Sequence, residues 1–366
     1  MKSFRIRGKT IDLPIVQGGM GVGVSLAPLA GEVARLGGVG TLSSAALDDL
    51  LSLREGRPFT TLEAAAHEVR RAKELAHGGY VAINVMVACA TTYVDSVRGA
   101  IAGGVDAIVS GAGLPVELPF LMADAPQVAL VPIVSSVRAL RILVKQWLRR
   151  GATRLADAIV VEGPLAGGHL GFKATDLGSP ENLLENLVPP VIDYARAELG
   201  EIPVIAGGGI YTREDIDRFL DMGCSAVQLG TRFLTTVESD ASPEFKAAIL
   251  ETTADDIGLA DPASPCGYPF RVTSRSPRPS RHYPSNPCKH RYLVDTEGRC
   301  PANLQPETYT CLCSALLSAA GVLEAPGGLY TTGANGWRVD RVMSVQEVLL
   351  DLGFAPVEQR AGAAAR

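Results

Sequence analysis

The chain has 366 residues, a formal net charge of -5 at pH 7 and 47% hydrophobic residues. The negative net charge gives no electrostatic basis for nucleic-acid binding, and every apolar stretch of membrane-spanning length contains Pro, Gly or charged residues. No apolar segment follows the basic start of the chain, and the seven cysteines are odd in number, so we expect a soluble, cytoplasmic protein without a disulfide framework.

Eight apolar segments bounded by Gly, Pro, Asp or Ser follow one another along the first two thirds of the chain. Their interiors are mostly continuous apolar residues rather than alternating ones, which favours parallel strands covered on both faces. We predict strands at residues 12–17, 38–44, 80–87, 106–111, 128–135, 157–163, 202–207 and 226–233.

The segments between these strands have helical periodicity. Leu29, Val33 and Leu36 fall on one helix face, and Thr212 with Asp215 three positions later is typical of a capped helix start. Eight strand-helix units within about 250 residues match a (β/α)8 TIM barrel. We therefore predict an α/β fold with one closed barrel.

An open doubly wound sheet is the alternative, because glycines follow the first strand at residues 18–23. Their spacing does not match G-x-G-x-x-G, and the second strand ends in serines where a ribose-binding acid is expected. The barrel is the favoured interpretation.

Six motifs occur at the predicted strand ends: PIVQGGMG at 14–21, AINVM at 82–86, SGAGLP at 110–115, VEG with AGGHLG at 161–171, AGGGI at 206–210 and QLGTRF at 228–233. Their order resembles the nitronate monooxygenases, formerly called 2-nitropropane dioxygenases. The FMN-dependent enoyl-acyl-carrier-protein reductases and flavin quinone reductases share these motifs.

This resemblance implies FMN bound at the carboxyl end of the barrel. The loops after the last two strands of a barrel are its usual phosphate site, and glycine backbone lets an anion come close to N-H groups. Glycine triplets also occur in plain turns. The predicted flavin-binding residues are Gly19, Met20, Gly21, Asn84, Ser135, Glu162, Gly168, Gly207, Gly208, Gly209, Gln228, Gly230 and Thr231.

His169 is the predicted catalytic residue. Of the five histidines it alone lies in a glycine loop at the catalytic face, where an imidazole either takes a proton from substrate carbon or holds an anionic nitronate. The resemblance implies oxidation of nitronates with dioxygen. The alternatives are an NAD(P)H-dependent reductase of an enoyl thioester or quinone, and a flavin-binding protein without turnover.

Residues 255–366 form a predicted cysteine-rich extension packed on the barrel of residues 1–254, with a closing helix at 344–352 and a disordered end. Cys288, Cys300, Cys311 and Cys313 are candidate ligands of an iron-sulfur cluster or, as second choice, zinc. Their spacing matches neither a zinc ribbon nor a ferredoxin, so unliganded thiols remain an alternative, and the sequence does not decide whether Cys266 takes part. A cluster would imply an electron-transfer protein as partner; a homo-oligomer is equally compatible with the sequence.

Overall fold

The computed structural model describes residues 3–277, 292–295, 297–323 and 327–355. Its strands are β1 (Phe4–Ile6), β2 (Lys9–Ile11), β3 (Ile15–Gln17), β4 (Val39–Ser43), β5 (Tyr80–Met86), β6 (Ala107–Gly111), β7 (Ala129–Val134), β8 (Ile159–Glu162), β9 (Gly168–His169), β10 (Val204–Gly207), β11 (Ala226–Leu229), β12 (Ile257–Leu259) and β13 (Phe270–Thr273). Its helices are α1 (Ala27–Arg35), α2 (Leu47–Glu55), α3 (Thr61–Leu75), α4 (Tyr93–Gly103), α5 (Leu118–Leu121), α6 (Val137–Arg149), α7 (Leu184–Glu198), α8 (Arg213–Asp221), α9 (Thr231–Leu234), α10 (Pro243–Leu250), α11 (Pro301–Leu304), α12 (Leu312–Ala319) and α13 (Val345–Asp351).

Eight parallel strands close into a barrel, in the order β3 to β8, then β10 and β11. The ring closes where β11 pairs with β3, from Val227 opposite Ile15 to Leu229 opposite Gln17. The predicted TIM barrel is confirmed, and every predicted strand is present but shorter. The prediction was wrong for the end of the eighth, because the strand stops at Leu229 and the chain turns into α9.

The barrel has the two apolar layers that its alternating strand positions require. One set of side chains fills the interior, for example Val39, Ala82 and Val160. The other set, including Leu42 and Val161, packs outward against the helices. Close packing of α1 on β4 depends on glycine, since a Cβ atom at Gly40 would lie 1.7 Å from the carbonyl oxygen of Ala30.

A β-hairpin of β1 and β2 closes the amino end of the barrel. Phe4, Ile6 and Ile11 are buried in the interior cluster of the barrel. The turn is held by an ion pair of 2.7 Å between Arg7 Nη1 and Asp157 Oδ1. The hairpin therefore fills the end of the barrel opposite the strand-end loops.

The C-terminal extension pairs with a loop of the barrel. Strand β13 pairs antiparallel with β12 on one side and with β9 on the other, with Phe270 opposite His169. The predicted closing helix is present as α13, which starts at the capping residue Ser344 and buries Val348 and Leu349 against the barrel. The predicted disordered end lies outside the described residues. Within the described segments, no helix combines the length and apolar character needed to cross a membrane.

Replacing Ile6 with Ala tests the role of the hairpin. Ile6 is 2% exposed, so the cavity left behind should lower the free energy of unfolding by roughly 2–5 kcal/mol in urea denaturation. Leu53→Ala is the control, because Leu53 is 56% exposed and its truncation should change the free energy by less than about 0.5 kcal/mol. Equal losses in both variants would contradict this role.

Candidate active site

A cavity of about 520 Å³ opens at the carboxyl end of the barrel. This volume is within the range of ligand sites in proteins. The loops after the barrel strands form one side of the cavity, and the C-terminal extension forms the other.

The structure brings the predicted flavin-binding residues and His169 together at this cavity. Gly207 is the exception: it is buried behind the lining, where an added Cβ atom would lie 3.2 Å from Cβ of Gln228. The lining residues among them are Gly19, Met20, Gly21, Asn84, Ser135, Glu162, Gly168, His169, Gly208, Gly209, Gln228, Gly230 and Thr231.

The loop after β10 has a backbone shape that favours glycine. Gly208 and Gly209 have φ angles of +97° and +89°. A Cβ atom at Gly208 would also lie 2.9 Å from the carbonyl oxygen of Gly163, in the loop after β8. The two glycines therefore bring backbone N-H groups to the cavity wall without side chains in the way.

The extension adds a loop, residues 331–335, that the sequence analysis did not assign to the site. Its Gly333 N-H donates to Thr231 Oγ1 at 3.3 Å, and the Asn335 side-chain amide donates to the carbonyl oxygen of Gly209 at 2.6 Å. Thr332 Oγ1 is buried and has no hydrogen-bond partner among the described residues. The loop thus ties the glycine loops after β10 and β11 together.

Two side-chain amides flank the loop after β3. An added Cβ atom at Gly19 would lie 2.5 Å from Cβ of Asn84, and one at Gly18 would lie 3.3 Å from Cγ of Gln228. Both amides belong to half-buried residues that line the cavity. They are placed to exchange hydrogen bonds with a polar ring or hydroxyl groups of a ligand.

Glu162 ends β8 with its half-buried side chain at the cavity. Burial away from water disfavours the charged carboxylate and raises its pKa to about 7. A carboxyl that changes charge near neutral pH can act as a hydrogen-bond donor or as an acceptor.

His169 lies in β9, with its imidazole against the ring of Phe270 from the extension. The ring centroids are 4.7 Å apart and the planes meet at 73°. Burial lowers the pKa of His169 to about 4, so the imidazole is neutral at pH 7. A neutral imidazole carries one N-H donor and one lone-pair acceptor.

The side of the cavity formed by the extension is mainly apolar and aromatic. Apart from Cys313, which was predicted as a metal ligand, these residues were not assigned to a site from the sequence, because their positions depend on how the extension folds over the barrel and no strand end marks them. They are Tyr268, Phe270, Tyr292, Leu293, Leu312, Cys313 and Leu316.

The predicted metal ligands are only partly within the described residues. Cys288 lies outside them. Cys300 is buried, Cys311 donates from its thiol to Ser314 Oγ at 3.2 Å, and Cys313 lines the cavity. Within the described residues no three His, Cys, Asp or Glu side chains form a group that could hold a metal ion. The four-cysteine site stays a prediction.

Residues 2–353 match the family model of nitronate monooxygenase. The chain belongs to the nitronate monooxygenase family. This match covers the barrel and most of the extension, so it includes residues on both sides of the cavity.

Individual relatives match shorter parts of the chain. An enzyme of Rhodococcus jostii, (3aS,4S,5R,7aS)-5-hydroxy-7a-methyl-1-oxo-octahydro-1H-indene-4-carboxyl-CoA dehydrogenase, is 28% identical over 72% of this chain and 63% of its own length. A probable nitronate monooxygenase of Staphylococcus haemolyticus is 36% identical over 29% of each chain. The chain thus spans less than two thirds of the length of these curated relatives.

A solved structure shares the fold. FabK from Thermotoga maritima has a TM-score of 0.66 and 24% identity, with 97% of this chain and 96% of that chain covered. At this identity the likeness establishes the fold alone.

Glu162→Gln tests the electrostatics of the cavity in flavin-free protein. A raised pKa stabilises the fold below the unfolded-state pKa, near 4.5, and this contribution is lost as pH rises through about 7. The free energy of unfolding of the wild type should therefore fall, relative to the variant, between about pH 4.5 and 7. Urea denaturation at several pH values measures this difference.

The exposed Glu251→Gln controls for loss of a carboxylate. If the difference in free energy of unfolding between the wild type and Glu162→Gln did not change with pH, the Glu162 carboxyl would not be desolvated.

Proposed function

We propose that this chain is an FMN-dependent oxidoreductase that oxidises nitronates with dioxygen. The observation that carries the proposal is the convergence of two glycine loops, two side-chain amides and one imidazole on a single cavity at the carboxyl end of the barrel. Membership of the nitronate monooxygenase family favours the same reaction.

The donors around the cavity fit FMN. Backbone N-H groups of Gly208, Gly209 and Gly230, with the Thr231 hydroxyl, would hold the phosphate, because a cradle without Cβ atoms accepts an anion closely. The buried Thr332 hydroxyl, which lacks a partner among the described residues, is a further donor at the same loops.

Polar groups for the rest of FMN lie at the other strand ends. The amides of Asn84 and Gln228 would bind the ring edge or ribityl hydroxyls, and Ser135 and Glu162 add a hydroxyl and a carboxyl. Met20 would supply an apolar contact to the ring.

When bound, FMN supplies the electron acceptor for the substrate and the means of passing electrons to dioxygen. The chain's own residues position the substrate and interact with its negative charge. His169 contacts the substrate and donates a hydrogen bond from its neutral ring to the negatively charged nitro group, while the apolar wall of the extension excludes water. The products are then a carbonyl compound and nitrite.

A second candidate is an oxidoreductase of acyl thioesters. The dehydrogenase of Rhodococcus jostii acts, by its name, on a CoA thioester with a bulky ring system. Tyr268, Tyr292 and Leu316 of the extension would contact such an apolar group. Nitrite release from a nitronate, compared with flavin reduction by NADH or by an acyl-CoA, separates the two candidates.

His169→Ala tests the proposed function directly. Flavin should still bind, because the phosphate loops are untouched, while turnover of propane-2-nitronate should fall by a factor on the order of 100. The measurement is oxygen consumption together with the flavin spectrum.

His77→Asn is the matched histidine control. His77 is exposed, away from the cavity lining, and has a φ angle of +46°, which Asn tolerates. If His169→Ala kept wild-type turnover, His169 would have no role in the mechanism.

Gly333→Ala tests the contribution of the extension loop to flavin binding. The new Cβ atom would lie 2.7 Å from Thr231 Oγ1 and would push the two loops apart. We expect FMN to dissociate at least about tenfold more readily, as measured by fluorescence titration, since a change of about 1.4 kcal/mol corresponds to that factor.

Gly178→Ala is the matched control, because an added Cβ atom there meets no atom within 4 Å. Unchanged FMN affinity in Gly333→Ala would exclude the loop from the phosphate site.

A further inference from the structure

Two tyrosines of the extension line the cavity, and they differ in what their hydroxyl groups contact. Tyr292 donates from its hydroxyl to Asp48 Oδ1 at 2.6 Å, so its proton is already used. Tyr268 is half-buried, and its hydroxyl has no hydrogen-bond partner within the described part of the chain. A phenol without a partner at a cavity wall is a hydrogen-bond donor for a ligand.

The backbone on both sides of Tyr268 is fixed against the loop that carries His169. On one side, Gly267 N-H donates to the carbonyl oxygen of Ser264 at 3.2 Å and closes a turn. The hydroxyl of Ser264 lies 3.4 Å from Nε2 of His169. On the other side, Phe270 pairs with His169, and the two ring centroids are 4.7 Å apart. Tyr268 therefore lies in a short segment that contacts the same imidazole at both ends.

The strand register puts the Tyr268 side chain on the same face as His169. Leu170 N-H donates to the carbonyl oxygen of Pro269 at 2.9 Å, so the pairing of β9 with β13 extends to the residue next to Tyr268. Side chains two apart on an extended strand share a face, so Tyr268 shares the face of Phe270, which contacts His169. In an antiparallel pair, such diagonal neighbours are within reach of each other's long side chains.

We propose that Tyr268 is a further substrate-binding residue, whose hydroxyl donates a hydrogen bond to one oxygen of a planar anionic group while His169 donates to the other. This inference rests on the proposed function and adds a second donor for the nitronate. Burial lowers the pKa of His169, so its neutral ring does not balance the negative charge by itself. Hydrogen bonds to an ionised acceptor are stronger than those between neutral groups, so two neutral donors hold the anion in the cavity.

The Tyr268 hydroxyl acts on binding rather than on the chemical step. Oxidation removes electrons from the nitronate, so the negative charge on its oxygens is largest before the reaction. A hydrogen bond to these oxygens is then at least as strong in the bound substrate as in the transition state. Its loss raises KM without lowering kcat.

Tyr268→Phe removes the hydroxyl and keeps the ring on the cavity wall. With propane-2-nitronate we expect KM to rise roughly tenfold, because one hydrogen bond to a charged group is lost, with little change in kcat or in the flavin spectrum. Steady-state oxygen consumption measures both constants. Tyr309→Phe is the matched control, since Tyr309 is a half-buried tyrosine of the extension that does not line the cavity.

Binding of isobutyrate tests the same donor without turnover. Like propane-2-nitronate, this carboxylate has two methyl groups beside a planar group whose two oxygens share one negative charge, but it does not give electrons to flavin. Isothermal titration calorimetry of the flavin-loaded protein should give a Kd roughly tenfold higher in Tyr268→Phe than in the wild type, again for loss of one hydrogen bond. Tyr309→Phe should match the wild type.

An isobutyrate Kd that Tyr268→Phe leaves unchanged would overturn the proposal, as would a wild type that does not bind isobutyrate. A fall in kcat with unchanged KM would also contradict it, because the hydroxyl would then act on the chemical step. If the wild type does not oxidise the nitronate, the proposed function fails, and the calorimetric comparison still decides whether Tyr268 binds the anion.

Discussion

Backbone pairing between β9 and β13 is the interaction on which the rest of the site depends. It joins the loop after β8, which carries His169, to the C-terminal extension, and Leu170 N-H adds a hydrogen bond of 2.9 Å to the carbonyl oxygen of Pro269. Arg271 continues the contact, with Nη1 donating to the carbonyl oxygens of Pro164 and Ala166 at 2.6 and 2.7 Å. A short loop at the end of a barrel strand thereby becomes one strand of a three-stranded sheet.

Through this pairing, the barrel and the extension each supply a different part of the cavity lining. The barrel supplies backbone N-H groups and amide side chains, which are the groups that recognise a phosphate and a polar ring. The extension supplies the aromatic and aliphatic wall, together with the loop at residues 331–335. Burial of the two side chains accounts for both shifted pKa values: it raises that of Glu162 and lowers that of His169.

The sequence was sufficient for the barrel and for the strand-end residues. Continuous apolar runs such as residues 158–161 identify parallel strands, and closure of the barrel brings their carboxyl ends together. With the family resemblance, Asn84, Gln228 and His169 could therefore be assigned to one site from the sequence. The extension could not be placed in this way. Pairing of Phe270 with His169 joins segments far apart in the chain, and no local pattern specifies that partner.

Contacts made by the extension were therefore beyond sequence reasoning. The hydroxyl of Ser264 reaches His169 only through this tertiary pairing, and the cysteine pattern drew attention to metal ligation instead. Cys311 and Cys313 lie at the start of a helix that packs beside the cavity. Packing of this helix accounts for their positions without a metal.

The central claim is that a flavin in this cavity takes electrons from a nitronate placed by His169. An anaerobic visible spectrum of the flavin-loaded protein during titration with propane-2-nitronate tests it most directly. Loss of the absorbance of oxidised flavin, and its return when air is admitted, is the predicted result. A protein that binds no FMN, or whose flavin stays oxidised with the nitronate but is reduced by NADH, would contradict the claim.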